Sequence, residues 1–208
     1  MSEPYVVTIS HQLGCGGALV GEKLAQALGV PFVDREILRA VSQRLHIAEA
    51  DIKSREGRLS SFWQAFSRAE MLADPIISVS ADCLLSDKEL FDMESDVIAR
   101  IARNSSAVIL GRGGRYILRD HPRHLSVFVH AQLPDRVARV AGLFHVPADV
   151  AGRMIEKNDR ERAAYIRAFT KSKLTDARGY DLCVNTSCTG LDGAVKLILG
   201  CAGLRLGI

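Results

Sequence analysis

The chain lacks long apolar runs, paired cysteines and an abundance of lysine. Its longest uninterrupted apolar stretches, such as residues 107–110 and 127–129, fall far short of the roughly 20 residues that span a bilayer. Residues 1–4 carry no basic region leading into an apolar stretch, so no secretory signal is expected. Cys15, Cys83, Cys183, Cys188 and Cys201 are an odd number with no CxxC pair. That excludes a disulfide frame or a cysteine zinc site and predicts a reduced, cytoplasmic setting. His121, His124, His130 and His145 have no partnering acids at ligand spacing, so no metal site is expected. The net charge over 208 residues is only +3, too low for a chain built throughout to bind nucleic acid.

What is present is ordinary globular composition, 48% hydrophobic and 25% charged, which excludes collagen-like and disordered chains. Arginine outnumbers lysine 20 to 7. Arginine grips phosphate and carboxylate with two parallel donors, whereas lysine is a point charge. The positive excess is local. Eight basic residues face four acids between Arg153 and Arg178, and the rest of the chain is close to neutral. One cationic segment on a neutral body suits a small polyanion, with neither nucleic acid nor membrane as partner.

Residues 4–10 form an uncharged, β-branched run, the pattern of a strand buried on both faces. A glycine-rich loop follows at 11–17, then a helix over 18–28 that Gly29 stops. Further strands are predicted at 30–33, 107–110, 125–130 and 181–185. Helices are predicted at 34–45, 87–104, 134–144, 147–169 and 191–199, with a short one in 111–120. Strands alternating with helices predict an α/β fold, a parallel sheet covered on both faces. In such sheets the ligand sits at the carboxyl ends of the strands. Two segments break the alternation: 46–86, and the basic region 148–176.

The loop Ser10-His11-Gln12-Leu13-Gly14-Cys15-Gly16-Gly17-Ala18 joins a strand to a helix N-terminus. Glycines let several backbone N–H groups converge there, and the helix end adds partial positive charge. His11, Gly14, Cys15, Gly16, Gly17 and Ala18 are therefore the candidate phosphate cradle. Two patterns compete. G-x-G-x-x-G uses Gly14 and Gly16 but then meets Leu19, with Asp34 at a suitable distance. G-x-x-x-x-G-K-[ST] fits the loop length, but His11, Gly17 and Ala18 replace three of its four defining positions. A tight strand-to-helix turn that merely needs glycines is the third alternative.

Several segments in order carry a resemblance: Ile9 through Gly17, Leu28-Gly29-Val30-Pro31-Phe32-Val33-Asp34-Arg35-Glu36-Ile37, Val108-Ile109-Leu110-Gly111-Arg112-Gly113-Gly114, Asn158-Asp159-Arg160-Glu161-Arg162 and Tyr180 through Thr186. Together they resemble the cytidylate-kinase-like family of P-loop nucleoside monophosphate kinases over nearly the whole chain except 46–86. The resemblance implies a single P-loop NTPase-type domain over 1–208. It would have a parallel five-stranded sheet with helices on both faces, a helical monophosphate-binding insert at 46–86 and a lid at 148–176. It implies transfer of the ATP γ-phosphoryl group to a nucleoside monophosphate, CMP first, with Mg²⁺ carried by the nucleotide. Asp34, Arg35, Arg112 and Arg115 then serve the acceptor side, and Arg112, Arg160, Arg162 and Arg167 the transferring group. The usual kinases of the superfamily carry a lysine where this chain has Gly17, whereas Gly17-Ala18, a form the resemblance implies is usual in the cytidylate-kinase-like relatives, supplies neither cation nor hydroxyl. Arg115 or a lid arginine is the candidate replacement.

Other outcomes stay open at this level. The chain is alternatively a non-catalytic nucleotide- or phosphate-binding module, or a kinase of another small acceptor. Arg153, Lys157, Arg160 and Arg167 share about 80° of a helix, which suits a lid face or a solvated face with internal pairs such as Glu156 with Arg160. Arg112 is alternatively a core salt bridge. Cys15 is either a loop filler or a thiol activated near His11. Phe62, Trp63, Phe66, Met71 and Leu72 form either the insert's core or a homo-oligomer surface.

Overall fold

The computed structural model describes residues 3–34 and 87–208. The elements run β1 (Val6–His11), α1 (Gly17–Leu28), β2 (Phe32–Val33), α2 (Asp87–Asn104), β3 (Ala107–Leu110), α3 (Gly114–Ile117), β4 (His124–His130), α4 (Leu133–Phe144), α5 (Ala148–Thr170), β5 (Leu182–Asn185) and α6 (Thr186–Leu206). The insert predicted at 46–86, its aromatic patch and Arg35 lie outside the described residues.

All five strands are parallel, in the order β2-β3-β1-β4-β5. The predicted five-stranded parallel sheet is therefore the one observed. β1 sits in the middle because Val6, Val7 and Ile9 are buried completely, as a two-face burial pattern requires. Its neighbours β3 and β4 lie on opposite sides of it, so the chain order reverses at β1. That makes the carboxyl end of β1 the crevice where open sheets bind ligands.

Each face has its own core. On one, Val20, Leu24 and Ala25 of α1 and Ala194, Val195, Ile198 and Ala202 of α6 pack over Val7, Ile9, Val108 and Val127. On the other, Val97, Ile98 and Ile101 of α2 cover Val6, Val33, Ala107 and Ile109. A third, smaller cluster joins Val140 of α4 to Ala151 and Ile155 of α5, with Leu13 of the first loop packed against it. That cluster ties the basic helix α5 to the glycine loop.

The last helix is longer than its pattern predicts. It runs from Thr186, where the Asn185 side chain caps the amide of Ser187, and breaks locally at Gly190 (φ 65°, ψ 178°). Its many glycines hide the period that would have extended the prediction. It is long and apolar enough to pass as a membrane span by length and composition, yet it packs one face into the sheet's core.

Candidate phosphate-binding site

The glycine loop leaves β1 after His11 and enters α1 at Gly17. Gly14 and Gly16 adopt left-handed φ values of 82° and 80°, which a residue with a Cβ takes only at a cost of about 1–2 kcal/mol. Gly16 is the N-cap of α1, without a side-chain cap and with no acid in the first turn. The first amides of α1 therefore face an uncapped end carrying the positive pole of the helix. An anion fits such an end.

The loop's carbonyls are held from behind by arginines. Arg136, buried at the start of α4, donates through Nε to the Leu13 carbonyl at 2.7 Å. Its Nη2 donates at 2.5 Å to Asp159 of α5, which also accepts the Leu13 amide at 3.2 Å. Arg139 donates to the Gly14 carbonyl at 2.6 Å, and the Thr186 hydroxyl donates to the Cys15 carbonyl at 2.7 Å. Cys15 is a filler: its buried thiol donates to the Val129 carbonyl at 3.3 Å, and burial raises its pKa. Its amide turns inward onto the Gln12 carbonyl, so Cys15 is the loop position least able to serve a ligand.

His11 and Gly17 are linked by space. A Cβ at Gly17 would lie 2.5 Å from the Cβ of His11 and 2.8 Å from its Cγ. The imidazole thus occupies the room a side chain at Gly17 would need. Arg162 of α5 reaches this histidine, with Nη1 2.7 Å from Nε2 and 3.0 Å from the His11 carbonyl. Arginine only donates, so Nε2 accepts and the ring proton is on Nδ1. That nitrogen is buried without a hydrogen-bond partner. Burial, assisted by the Arg162 guanidinium, holds the His11 pKa down at about 3, and the ring is neutral at physiological pH.

Arg112 follows β3 in the segment Gly111-Arg112-Gly113, where all three residues have positive φ, 56° for the arginine. A non-glycine held there marks a backbone fixed by its surroundings. Its Nε donates to Glu94 Oε2 at 2.6 Å and its Nη2 pairs with the same oxygen. Glu94, on α2, is 0% exposed. The Tyr165 ring lies 4.4 Å beneath the guanidinium, and its hydroxyl donates to Glu94 at 3.3 Å. Phe91 and Phe169 complete the aromatic wall.

The remaining candidates are placed apart. On α5, Arg153 pairs with Asp149, Lys157 with Glu161 and Arg160 with Glu156, each at i,i+4 and all well exposed. Arg167 is also exposed. The basic stripe is thus mostly the solvated face with internal pairs. The face that meets the glycine loop is the opposite one, where Ala151, Ile155, Asp159 and Arg162 fall within about 80°. Asp34 is partly buried just past β2. Arg115 is not gathered with Arg112. It lies over the Tyr180 ring at 4.4 Å, against Gly179.

Arg136, Arg139, Glu94 and Tyr165 escape sequence reasoning. Their partners are distant in sequence, and no local spacing announces them. Asp159 lies within a segment that carries the resemblance, but its two loop contacts are visible only in three dimensions.

Residues 6–188 match the family model of the cytidylate kinase-like family. The chain belongs to that family. Among solved structures, this cytidylate kinase-like chain is similar to an uncharacterized protein from Eubacterium ventriosum, with 23% identity, TM-score 0.73 and coverage of 97% of this chain and 99% of that one. It also resembles a gluconokinase from Sinorhizobium meliloti, with 16% identity, TM-score 0.53 and coverage of 100% and 96%. These likenesses concern the fold. Shikimate kinase 2 of Pectobacterium carotovorum subsp. carotovorum is 40% identical over 60 residues, which is 29% of this chain and 31% of that protein. The match spans about a third of the length of that curated relative.

Proposed function

We propose that the chain is a phosphotransferase that moves the γ-phosphoryl group of ATP to a nucleoside monophosphate, with CMP the first acceptor to test. The observation that carries this is the Arg162–His11 contact beside Gly17. Phosphoryl transfer needs positioned positive charge on the phosphates more than any covalent help. Where the lysine-bearing loops of the superfamily send a side chain forward, this loop puts an imidazole, and the imidazole accepts from an arginine of the lid helix.

In this account the amides at the start of α1, those of Gly16, Gly17 and Ala18, hold the donor phosphates. Arg136, Arg139 and Asp159 fix the loop's shape before the nucleotide arrives. Neutral His11 orients Arg162 rather than exchanging a proton, and Arg162 stabilises the charge that spreads over the transferred group. Arg112, held by Glu94 and Tyr165, serves the acceptor phosphate, with Asp34 and Arg35 as the further acceptor-side residues the resemblance implies. Arg160 and Arg167 join only as outer lid charges.

Mg²⁺ would neutralise phosphate charge and travel with ATP. Among the described residues no cluster of His, Cys, Asp or Glu suits a metal, and Ala18 has no hydroxyl to offer one.

A second acceptor class rests on the 60-residue similarity to a shikimate kinase. A small hydroxy acid would then take the phosphoryl group, and Asp34 would receive the hydroxyl proton. The test is ADP formation from Mg-ATP with CMP, dCMP, UMP, AMP, GMP, shikimate or gluconate. ADP that depends on one monophosphate supports the proposal and names the acceptor. ADP that depends on a hydroxy acid moves the assignment to the second class. No acceptor-dependent ADP, with ATP still raising the melting temperature, leaves a binding module and overturns both.

A further inference from the structure

A cavity of about 220 Å³ lies away from the glycine loop, lined by Arg115, Arg119, Arg178 and Arg205, with His121 and Asp181 also on its wall. It opens at the amino-terminal half of β4, since His124 and Ser126 line it and stand in register with Val6 and Thr8 of β1. His11, where the phosphate loop begins, is three residues further along β1 than Thr8, or about 10 Å at strand rise. The cavity and the loop are therefore separate places on the molecule.

The charges in it are unbalanced. Asp181 is the single carboxylate among the lining residues, and its Oδ2 already accepts from the Ser126 amide and hydroxyl, both at 2.7 Å. Arg119 pairs with Asp120 and Arg178 with Asp176, at the surface. Arg115 and Arg205 make no salt bridge among the described residues, although the Arg115 charge is felt by Asp176. Arg115 is pressed between the Tyr180 ring and the backbone of Gly179, and its Nη1 is buried with no hydrogen-bond partner. Four guanidinium groups thus line the cavity with one carboxylate, and an anionic oxygen is the acceptor a guanidinium suits best. The volume equals about seven waters, room for a tetrahedral oxyanion with part of its hydration or a short organic tail.

We propose that this cavity is a second anion site, taking a phosphate dianion that is either free or borne by a phosphomonoester. Arg115 and Arg205 are its principal donors. This is independent of the acceptor question and of whether the glycine loop is catalytic.

The test is a titration of ¹⁵N-labelled protein with inorganic phosphate and, separately, glycerol 3-phosphate, at ionic strength held constant with chloride. The expected result is saturable amide shifts at Ser126 and residues 179–181 in at least one arm. The tighter arm identifies the source of the anion. Arg205→Glu and Arg205→Gln change an exposed side chain, and the neutral variant spares the last turn of α6 an added negative charge. They are expected to weaken those shifts about tenfold and severalfold, while shifts at residues 14–18 stay as in wild type. Shifts confined to residues 14–18, non-saturating shifts at 179–181, or a response at 179–181 unaltered by both variants would each overturn the proposal.

Discussion

The imidazole of His11 fills the space in front of Gly17, where a Cβ would stand 2.5 Å from the histidine's own Cβ. The two positions that depart most from the usual phosphate loop are therefore one exchange. The side chain that the loop lacks at Gly17 is matched by one that it gains at His11.

Restoring lysine at position 17 is accordingly not expected to restore anything. Gly17→Lys forces the Cβ into His11 and should cost about 1–3 kcal/mol, as overpacking does. Thermal and urea denaturation should show a lower midpoint, with no rise in phosphotransfer. The double variant His11→Gly with Gly17→Lys should recover stability relative to Gly17→Lys alone. Equal stabilities of the two variants would break the link between these positions.

Acid should weaken the fold through two histidines. His11 is held at about 3 and His124 at about 4, chiefly by burial in both cases, against about 6.5 in the unfolded chain. Between those values the unfolded chain binds more protons, so stability rises with pH. The contribution is complete above pH 6.5 and is lost as pH falls, toward about 4 for His124 and about 3 for His11. Each histidine gives a slope of up to about 1.4 kcal/mol per pH unit in that window. His124 also shares a 2.8 Å hydrogen bond with Thr8, so His124→Gln is the informative variant. Its denaturation free energy should fall less than wild type between pH 7.5 and 5. A parallel decline would contradict the assignment.

Glu94 is expected to act on the acceptor side through Arg112. Removing the carboxylate leaves a guanidinium without its partner, and breaking a buried pair in this way costs about 3–5 kcal/mol. Glu94→Gln keeps the shape and one acceptor oxygen. It should raise KM for the acceptor about tenfold, with a smaller effect on kcat and little on KM for ATP. An equal rise in both KM values would mean a general loss of structure instead.

Much of the sheet is legible in the sequence because buried parallel strands need β-branched, uncharged runs, as in residues 4–10 and 107–110. The loop is legible because only glycine tolerates its turns. The face of α5 that meets the loop is not. The charged positions of α5 attract notice, yet Arg153, Lys157 and Arg160 spend their charge on acids one turn away. Which face turns inward is decided by Ala151 and Ile155, two modest apolar residues that carry Asp159 and Arg162 with them. The loop's supports are equally hidden, since Arg136 and Arg139 reach Leu13 and Gly14 across more than a hundred residues of chain. The resemblance puts Arg115 on the acceptor side with Arg112, but the short helix α3 turns it toward Tyr180.

The two α5 arginines separate the faces. Arg160, exposed and paired with Glu156, should tolerate alanine with less than a threefold change in rate, since such pairs contribute about 0.3–0.5 kcal/mol. Steady-state kinetics of Arg160→Ala checks this, and a large loss would return the outer stripe to the centre of the mechanism.

The most direct measurement is single-turnover phosphotransfer by Arg162→Ala, with ATP affinity measured alongside. With the acceptor that activates wild type, the account predicts a loss of about 10²–10³ in rate, the scale for one charge-stabilising donor, with ATP affinity changed only severalfold. A variant as fast as wild type would contradict the claim that Arg162, set by His11, stands in for the missing lysine.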